Sequence, residues 1–478
     1  MLKRTRTIIF LICLFLFFLI APLIIFYSQG YRIDINSKKI IKTGGFYFNI
    51  WPEGAEIFLD GKFQKKTSFI SNSAYINNLK TKEYKIEIKK EGFHSWQKNL
   101  EIKENLVINF NDIFLIPENP KYVTLDQKLE DFFFSPDGRK VILKEEDKKS
   151  WSLKIIELDI NLKSSLFSGF ESPEIELLDL KFSSDSEKIL FSTKEKEKQR
   201  NWILELESPI QEKRSNDLIT LDFLGEKVSN ISLNPNDSQK IFFVKEPMKE
   251  NNLLEANLSS KEVSLNPILR NLITYEIFEG NLFWLSKDGF ILKTSFTGEM
   301  EERLNLKPLL IKEGGEYQIY IKNHLIFLKE GDTVYIFNSD SQIFEKLSDF
   351  TKELEFSPDG KKMLYFNNYE IWILFLEKNE GQPKREFLEK LFLTRFSEKI
   401  DQVLWYNSNY LIFNIGNKIK ISEIDNRDNI NIYDFSEFPA PDESTTDGKS
   451  LKFFFNQFDK KLYILSEGSF LSSEKLLP

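Results

Sequence analysis

Twice in this chain an apolar, phenylalanine-containing run ends in Ser-Pro-Asp-Gly and returns as a second apolar run, at residues 132–143 and 354–365. Two worn copies, 180–191 and 231–243, keep the same order with a degraded turn. Weaker turns stand at Gly280-Asn281, Lys322-Asn323, Asn407-Ser408 and Asn456-Gln457. The residue types explain the motif. Pro presets φ at the second turn position, Asp bonds back to the backbone, and Gly accepts the left-handed conformation. The turns fall near 136, 184, 235, 281, 323, 358, 408 and 457, spaced by 35–51 residues, which is the period of propeller blades. Further strand patterns follow at 151–158, 202–206 and 371–376, each with a tryptophan. A unit this small cannot bury both of its faces alone, so such units stack around an axis. Residues 122–125 precede the first unit and 468–472 end the last. Pairing these two segments would close a ring and leave no open edge.

These turns and strands resemble the WD40-like repeat of TolB-type periplasmic β-propellers. The resemblance covers most of residues 121–478, strongly in two copies and loosely in six. It implies an all-β propeller over 118–478, with eight blades expected and seven as the alternative.

A different pattern occupies residues 44–117. Period-2 alternation marks strands at 46–50, 55–59, 84–88, 96–102 and 106–110, each with one buried and one solvated face. Asp60-Gly61 is a hairpin turn, and Glu91-Gly92 marks another. Five short strands in this length suggest a small β-sandwich. Pro52-Glu53-Gly54-Ala55, the strand and turn 56–61, and the later Lys90-Glu91-Gly92-Phe93 with Trp96 resemble the PEGA family. That resemblance implies a non-catalytic module of cell-surface and envelope proteins. It supplies no catalytic residue. Trp51 and Trp96 are expected to close the small core, with sugar stacking as the alternative.

Residues 8–27 hold 20 positions without a charge. As a helix they reach about 30 Å, the thickness of a bilayer's hydrocarbon core. Lys3, Arg4 and Arg6 precede them with no acid, which keeps residues 1–7 cytoplasmic and places the rest outside the cytoplasmic membrane. A cleaved signal peptide competes, since Ser28 and Gly30 are small, but the run exceeds the usual h-region of about 7–15 residues. A buried core helix is disfavoured by the N-terminal position and one-sided charge. Residues 28–43 read as a juxtamembrane linker. A lipoprotein reading fails because Cys13 lies inside the apolar run after Ile12.

Charge and composition exclude several functions. Residues 1–43 carry a net +6, residues 44–117 +1, and residues 118–478 −15. So acidic a body repels nucleic acid. One cysteine rules out a disulfide framework and Cys-based zinc. His94 and His324 are the only histidines, and both read as structural, leaving little for a Ser-His-Asp site. A sialidase turn, a Gly-x-Ser-x-Gly elbow and an Asp-x-Asp-x-Asp-Gly calcium loop are missing from the sequence. A carboxylate pair for glycoside hydrolysis remains open, but nothing singles out two of the 73 acids. The polar segment 439–448 reads as a connection between blades, with a contact loop as the alternative. No catalytic residue, metal ligand or cofactor is therefore expected, and no binding residue is assigned. The expected partners are the lipid bilayer and an envelope protein or cell-wall glycan. The expected function is a non-catalytic, membrane-anchored binding scaffold. The alternative is a carbohydrate-active propeller enzyme using funnel carboxylates. A sensor is a third reading, weakened by a cytoplasmic segment of only seven residues.

Overall fold

The computed structural model describes residues 3–28, 30–34, 39–147, 150–170, 175–206, 210–245, 251–439 and 451–478. It starts with one helix, α1 (Lys3–Ser28), whose apolar side chains are exposed along nearly its whole length. A core helix would hide them, so that reading is overturned. By length and composition α1 suits either a membrane anchor or a signal sequence.

The segment expected to be a linker instead carries paired strands. β1 (Tyr31–Asp34) pairs antiparallel with the start of β2 (Lys39–Trp51). β2 continues into a module that also contains β3 (Glu56–Leu59), β4 (Lys62–Lys66), β5 (Ser73–Lys80), β6 (Glu83–Lys89), β7 (Trp96–Glu101) and β8 (Val107–Phe114). One four-stranded sheet holds β1, β2, β5 and β8, and the other runs β4-β3-β6-β7. Alternation puts Phe46, Phe48, Ile57, Ile86, Ile88, Trp96 and Phe110 into one shared core. β5 is absent from the sequence expectation, because its asparagines and serine blur the period. β8 lies parallel to β2, which only the return of the chain along the module decides.

The described residues between 122 and 473 form eight four-stranded antiparallel sheets. Sheets 1 to 7 occupy residues 129–167, 175–220, 228–263, 272–303, 317–348, 353–395 and 400–437 in chain order. Sheet 8, residues 452–473, has three strands of its own and takes its fourth from β9 (Tyr122–Asp126). β9 pairs with Ser469–Ser473, Tyr122 opposite Ser473 and Asp126 opposite Phe470. The ring expected from the two chain ends is thus joined by backbone hydrogen bonds. Each junction between neighbouring sheets, including sheet 8 to sheet 1, has its own apolar core. Phe132 and Val141 meet Tyr463 and Phe470 at the closing junction. A closed ring of four-stranded sheets is a β-propeller.

The motif turns connect the first and second strands of their sheets. In sheet 1, Ser135 Oγ donates to Asp137 Oδ1 at 2.6 Å, and the same oxygen receives the Arg139 N–H at 3.0 Å. Sheet 6 repeats this with Ser357, Asp359 and Lys361. Neighbouring turns also bond each other around the ring: Asn456 to Gly138 O, Asn323 to Gly360 O, and the Asp359 N–H to Ser408 Oγ. The tryptophan strands are the third strands of sheets 1, 2 and 6.

Candidate functional site

Two places concentrate polar groups: the channel along the propeller axis and the joint between module and propeller. First strands of neighbouring sheets approach one another, as between sheets 1 and 2, 4 and 5, and 7 and 8, so these strands line the axis. A cavity of about 720 Å³ is walled there by sheets 1, 2, 6, 7 and 8. Its acids Glu130, Asp131, Asp179, Glu353, Asp401 and Glu467 face Lys144 and Lys452. Several are neutralised: Glu130 pairs with Lys144 and Asp131 with Lys452. A second cavity of about 480 Å³ lies between sheets 4 and 5, with Tyr275, Glu276, Gln318 and Tyr320 on its wall.

Two acids on the first strands of their sheets differ from the rest. Burial pushes the Glu355 carboxyl up to about 7, aided by the nearby Glu353 charge and opposed by the Trp405 N–H at 3.3 Å. Burial pushes Glu276 up to about 6, although its side chain still faces solvent. Such groups exchange protons near neutral pH and often mark functional sites. Glu276 stands on sheet 4 and Glu355 on sheet 6, with sheet 5 between them. Tyr320 of sheet 5 senses the charges of Glu276 and Glu353. No hydrogen bond joins Glu276 to Glu355 among the described residues.

The joint is built from β7 and β8 against sheet 7. On β7 the inward positions are Trp96 and Lys98. The Lys98 side chain is 0% exposed and Glu423 4%, and their Nζ and Oε1 stand 2.7 Å apart. Lys98 also donates to the carbonyls of Asp425, at 2.8 Å, and Asn429. Glu423 accepts from Trp96 Nε1 at 2.8 Å and from the N–H and side-chain amide of Asn431 at 3.0 and 2.7 Å. Both ions are thus satisfied on every side, the condition for tolerating buried charge. Burial still pushes the Glu423 carboxyl up, against the pull of Lys98. Around this pair, Asn99 bonds Asp428, the Phe114 N–H bonds Tyr410 Oη, and Gln382 bonds the backbone of Val107 and Asn109. Arg427 stacks 4.0 Å over Phe110 and donates to Asn109 O. A cleft of about 340 Å³ remains beside the joint, with Asp112, Lys362, Arg385 and Tyr410 on its wall.

The residues singled out in the sequence fall as follows. Trp96 is fully buried in the module core, which overturns sugar stacking for it. Trp51 is half-buried against Phe93 and Phe114. His94 stacks on Tyr433 at 5.3 Å, inside the joint. His324 follows Asn323 in the exposed turn of sheet 5, both with positive φ. Cys13 is exposed on α1. Among the described residues no three His, Cys, Asp or Glu side chains cluster as metal ligands. Residues 440–448 of the polar segment lie outside the described residues. Lys98 and Glu423 were missed in the sequence. The available signal was a lysine at a core-facing position of an alternating strand, two residues after Trp96.

No protein-family model and no curated protein matches the chain. Solved structures similar to it include the Dos1 propeller, 12% identical over 75% of this chain and 95% of that one, with a TM-score of 0.46. Oligogalacturonate lyase in complex with manganese is 11% identical over 75% and 93%, with a TM-score of 0.40. The Swd1 β-propeller domain of Myceliophteria thermophila is 9% identical over 75% and 99%, with a TM-score of 0.37. The propeller of this chain is defined by its own sheet order and junction cores.

Proposed function

We propose that this chain is a membrane-anchored, non-catalytic scaffold of the cell envelope. In this reading α1 crosses the cytoplasmic membrane once and residues 28–478 lie outside. The module is a PEGA-like sandwich, and the eight sheets are eight blades. The propeller offers its loops and faces to an envelope protein or a cell-wall glycan. One observation carries the reading: the buried Lys98–Glu423 pair and its ring of hydrogen bonds fasten propeller to module. A buried ion pair so fully satisfied holds the propeller in one orientation to its stalk, which presentation of a binding surface requires and turnover in a channel does not.

A second reading has its own observation. Glu276 and Glu355, pushed up by burial to about 6 and about 7 on first strands of the propeller, suit a carbohydrate-active enzyme in which one acid donates a proton. The two readings separate in one experiment. The full chain in detergent is incubated with peptidoglycan, pectin and other common polysaccharides, and soluble products and retained glycan are measured. The scaffold reading expects no products, and unchanged glycan retention in Glu276→Gln and Glu355→Gln. Turnover abolished by either substitution would overturn it in favour of the enzyme.

A further inference from the structure

Where α1 ends, the chain makes a pocket that neither the scaffold nor the enzyme reading uses. Gly30, at φ +83°, turns the chain directly after the helix, and a side chain there would meet Asn105 Oδ1 at 2.9 Å. The tuck is fixed to the module: Thr43 donates through N–H and Oγ1 to Gly30 O, and the Asn105 N–H donates to Thr43 O. A cavity of about 590 Å³ results, lined by Tyr27, Arg32, Lys42, Tyr75, Asn77 and Asn105 among others. Arg32 lies 3.5 Å over the Tyr27 ring and donates to the carbonyls of Tyr27 and Tyr31 at 2.7 and 2.8 Å. Its planar guanidinium is thereby held at the helix end rather than free to swing. Lys42 stands 5.4 Å from the Tyr31 ring, with Glu104 at 3.9 Å as a loose, exposed counter-charge.

We propose that this pocket binds the headgroup of an anionic phospholipid, with its phosphate between Arg32 and Lys42. The chemistry is that of a phosphate site: a guanidinium, an ammonium, and amide and phenol donors on a concave wall. The place selects the source of the phosphate. The 26-residue helix is about 39 Å long, enough for the hydrocarbon core and part of the headgroup layer. Its last residues, Tyr27 and Ser28, are part of the pocket wall, so the pocket opens at headgroup depth. Tyr27 and Tyr31 are residues that favour this layer. The proposal rests on α1 being a membrane anchor.

The test uses the full chain in nanodiscs of phosphatidylcholine with one-fifth phosphatidylglycerol. Lipids retained on the protein are counted by native mass spectrometry, and the circular-dichroism spectrum and melting temperature confirm that the chain stays folded. Phosphatidylglycerol should be retained in preference to phosphatidylcholine. Retention should fall roughly tenfold or more in Arg32→Gln/Lys42→Gln and persist in Lys62→Gln/Lys66→Gln, whose lysines lie on the exposed β4. Millimolar inorganic phosphate should not displace the lipid. Equal lipid retention in the Arg32/Lys42 variant, or complete displacement by inorganic phosphate, would overturn the pocket and leave the anchor intact. Failure of the chain to enter nanodiscs would overturn both.

Discussion

Replacing Glu423 by Gln removes one charge from a pair that has no access to water. Lys98 then stays buried without a counter-charge, with the carbonyls of Asp425 and Asn429 and at most a neutral amide oxygen as its acceptors. Breaking a buried pair from one side typically costs about 3–5 kcal/mol. The two carbonyls place this case near the lower end, about 3 kcal/mol, or roughly 5 °C in melting temperature for a unit of this size. Lys98→Met has a different signature. It leaves Glu423 with its donors from Trp96 and Asn431 but without a cation. Burial already favours the protonated acid, and losing Lys98 strengthens that preference. The native state of this variant therefore holds a proton that the unfolded state releases. Its stability is greatest below the ordinary carboxylate range and falls as pH rises through the raised pKa. The double variant should cost about 1–3 kcal/mol less than the two singles together, because neither ion is then left alone. Trp96, whose indole donates to Glu423 and is fully buried, is one of the seven tryptophans that contribute to the emission. Thermal unfolding of the full chain followed by tryptophan emission, at pH 5 and pH 8, measures all of this. Single variants that each cost under about 1 kcal/mol, or a double variant that is strictly additive, would refute the lock.

Glu355 gives a second pH signature. Its carboxyl rises from an ordinary value of 4.5 to about 7, so its contribution is complete below about 4.5 and is lost by about pH 7. This amounts to on the order of 3 kcal/mol. Glu355→Gln should flatten stability between pH 5 and 7 in urea titrations, and a variant that tracks the parent slope would contradict the assignment. Ring closure depends on β9, which buries Tyr122 and Leu125 against sheets 7, 8 and 1 and places Tyr122 Oη 2.6 Å from Ser436 Oγ. A chain beginning at residue 128 should be less stable than one beginning at 119 by on the order of 4 kcal/mol, and equal melting temperatures would reject closure by β9. Protease added to intact spheroplasts should digest the propeller if residues 28–478 are extracytoplasmic, whereas digestion only after lysis would reverse the topology.

The repeat was legible because it is written in local chemistry. Ser135-Pro136-Asp137-Gly138 and Ser357-Pro358-Asp359-Gly360 satisfy their turns with their own side chains, so the sequence carries the instruction intact. The worn turns at 281, 323, 408 and 457 were found by spacing alone, and each connects the first two strands of its sheet. Alternation likewise exposed most strands of the module. It failed at β5, where polar residues occupy the solvated face and part of the rest, and at β1, which takes its order from pairing with β2.

The sequence by itself determined a mostly β chain, an N-terminal apolar helix and repeating four-stranded units. These follow from periods of two and from turn residues acting within a few positions of each other. Tertiary structure alone decided the joint, the two acids raised by burial and the pocket at the end of α1. Lys98 and Glu423 are more than 300 residues apart in the chain. The alternation of β7 marks Lys98 as core-facing, but nothing local marks Glu423 as its partner. Glu355 is an ordinary carboxylate until neighbouring sheets bury it, and Glu276 is shifted by partial burial while still facing solvent. Arg32 and Lys42 face one cavity only because β1 folds back on β2. Burial and charge pairing depend on which surfaces meet, and that information is absent from any short stretch of sequence.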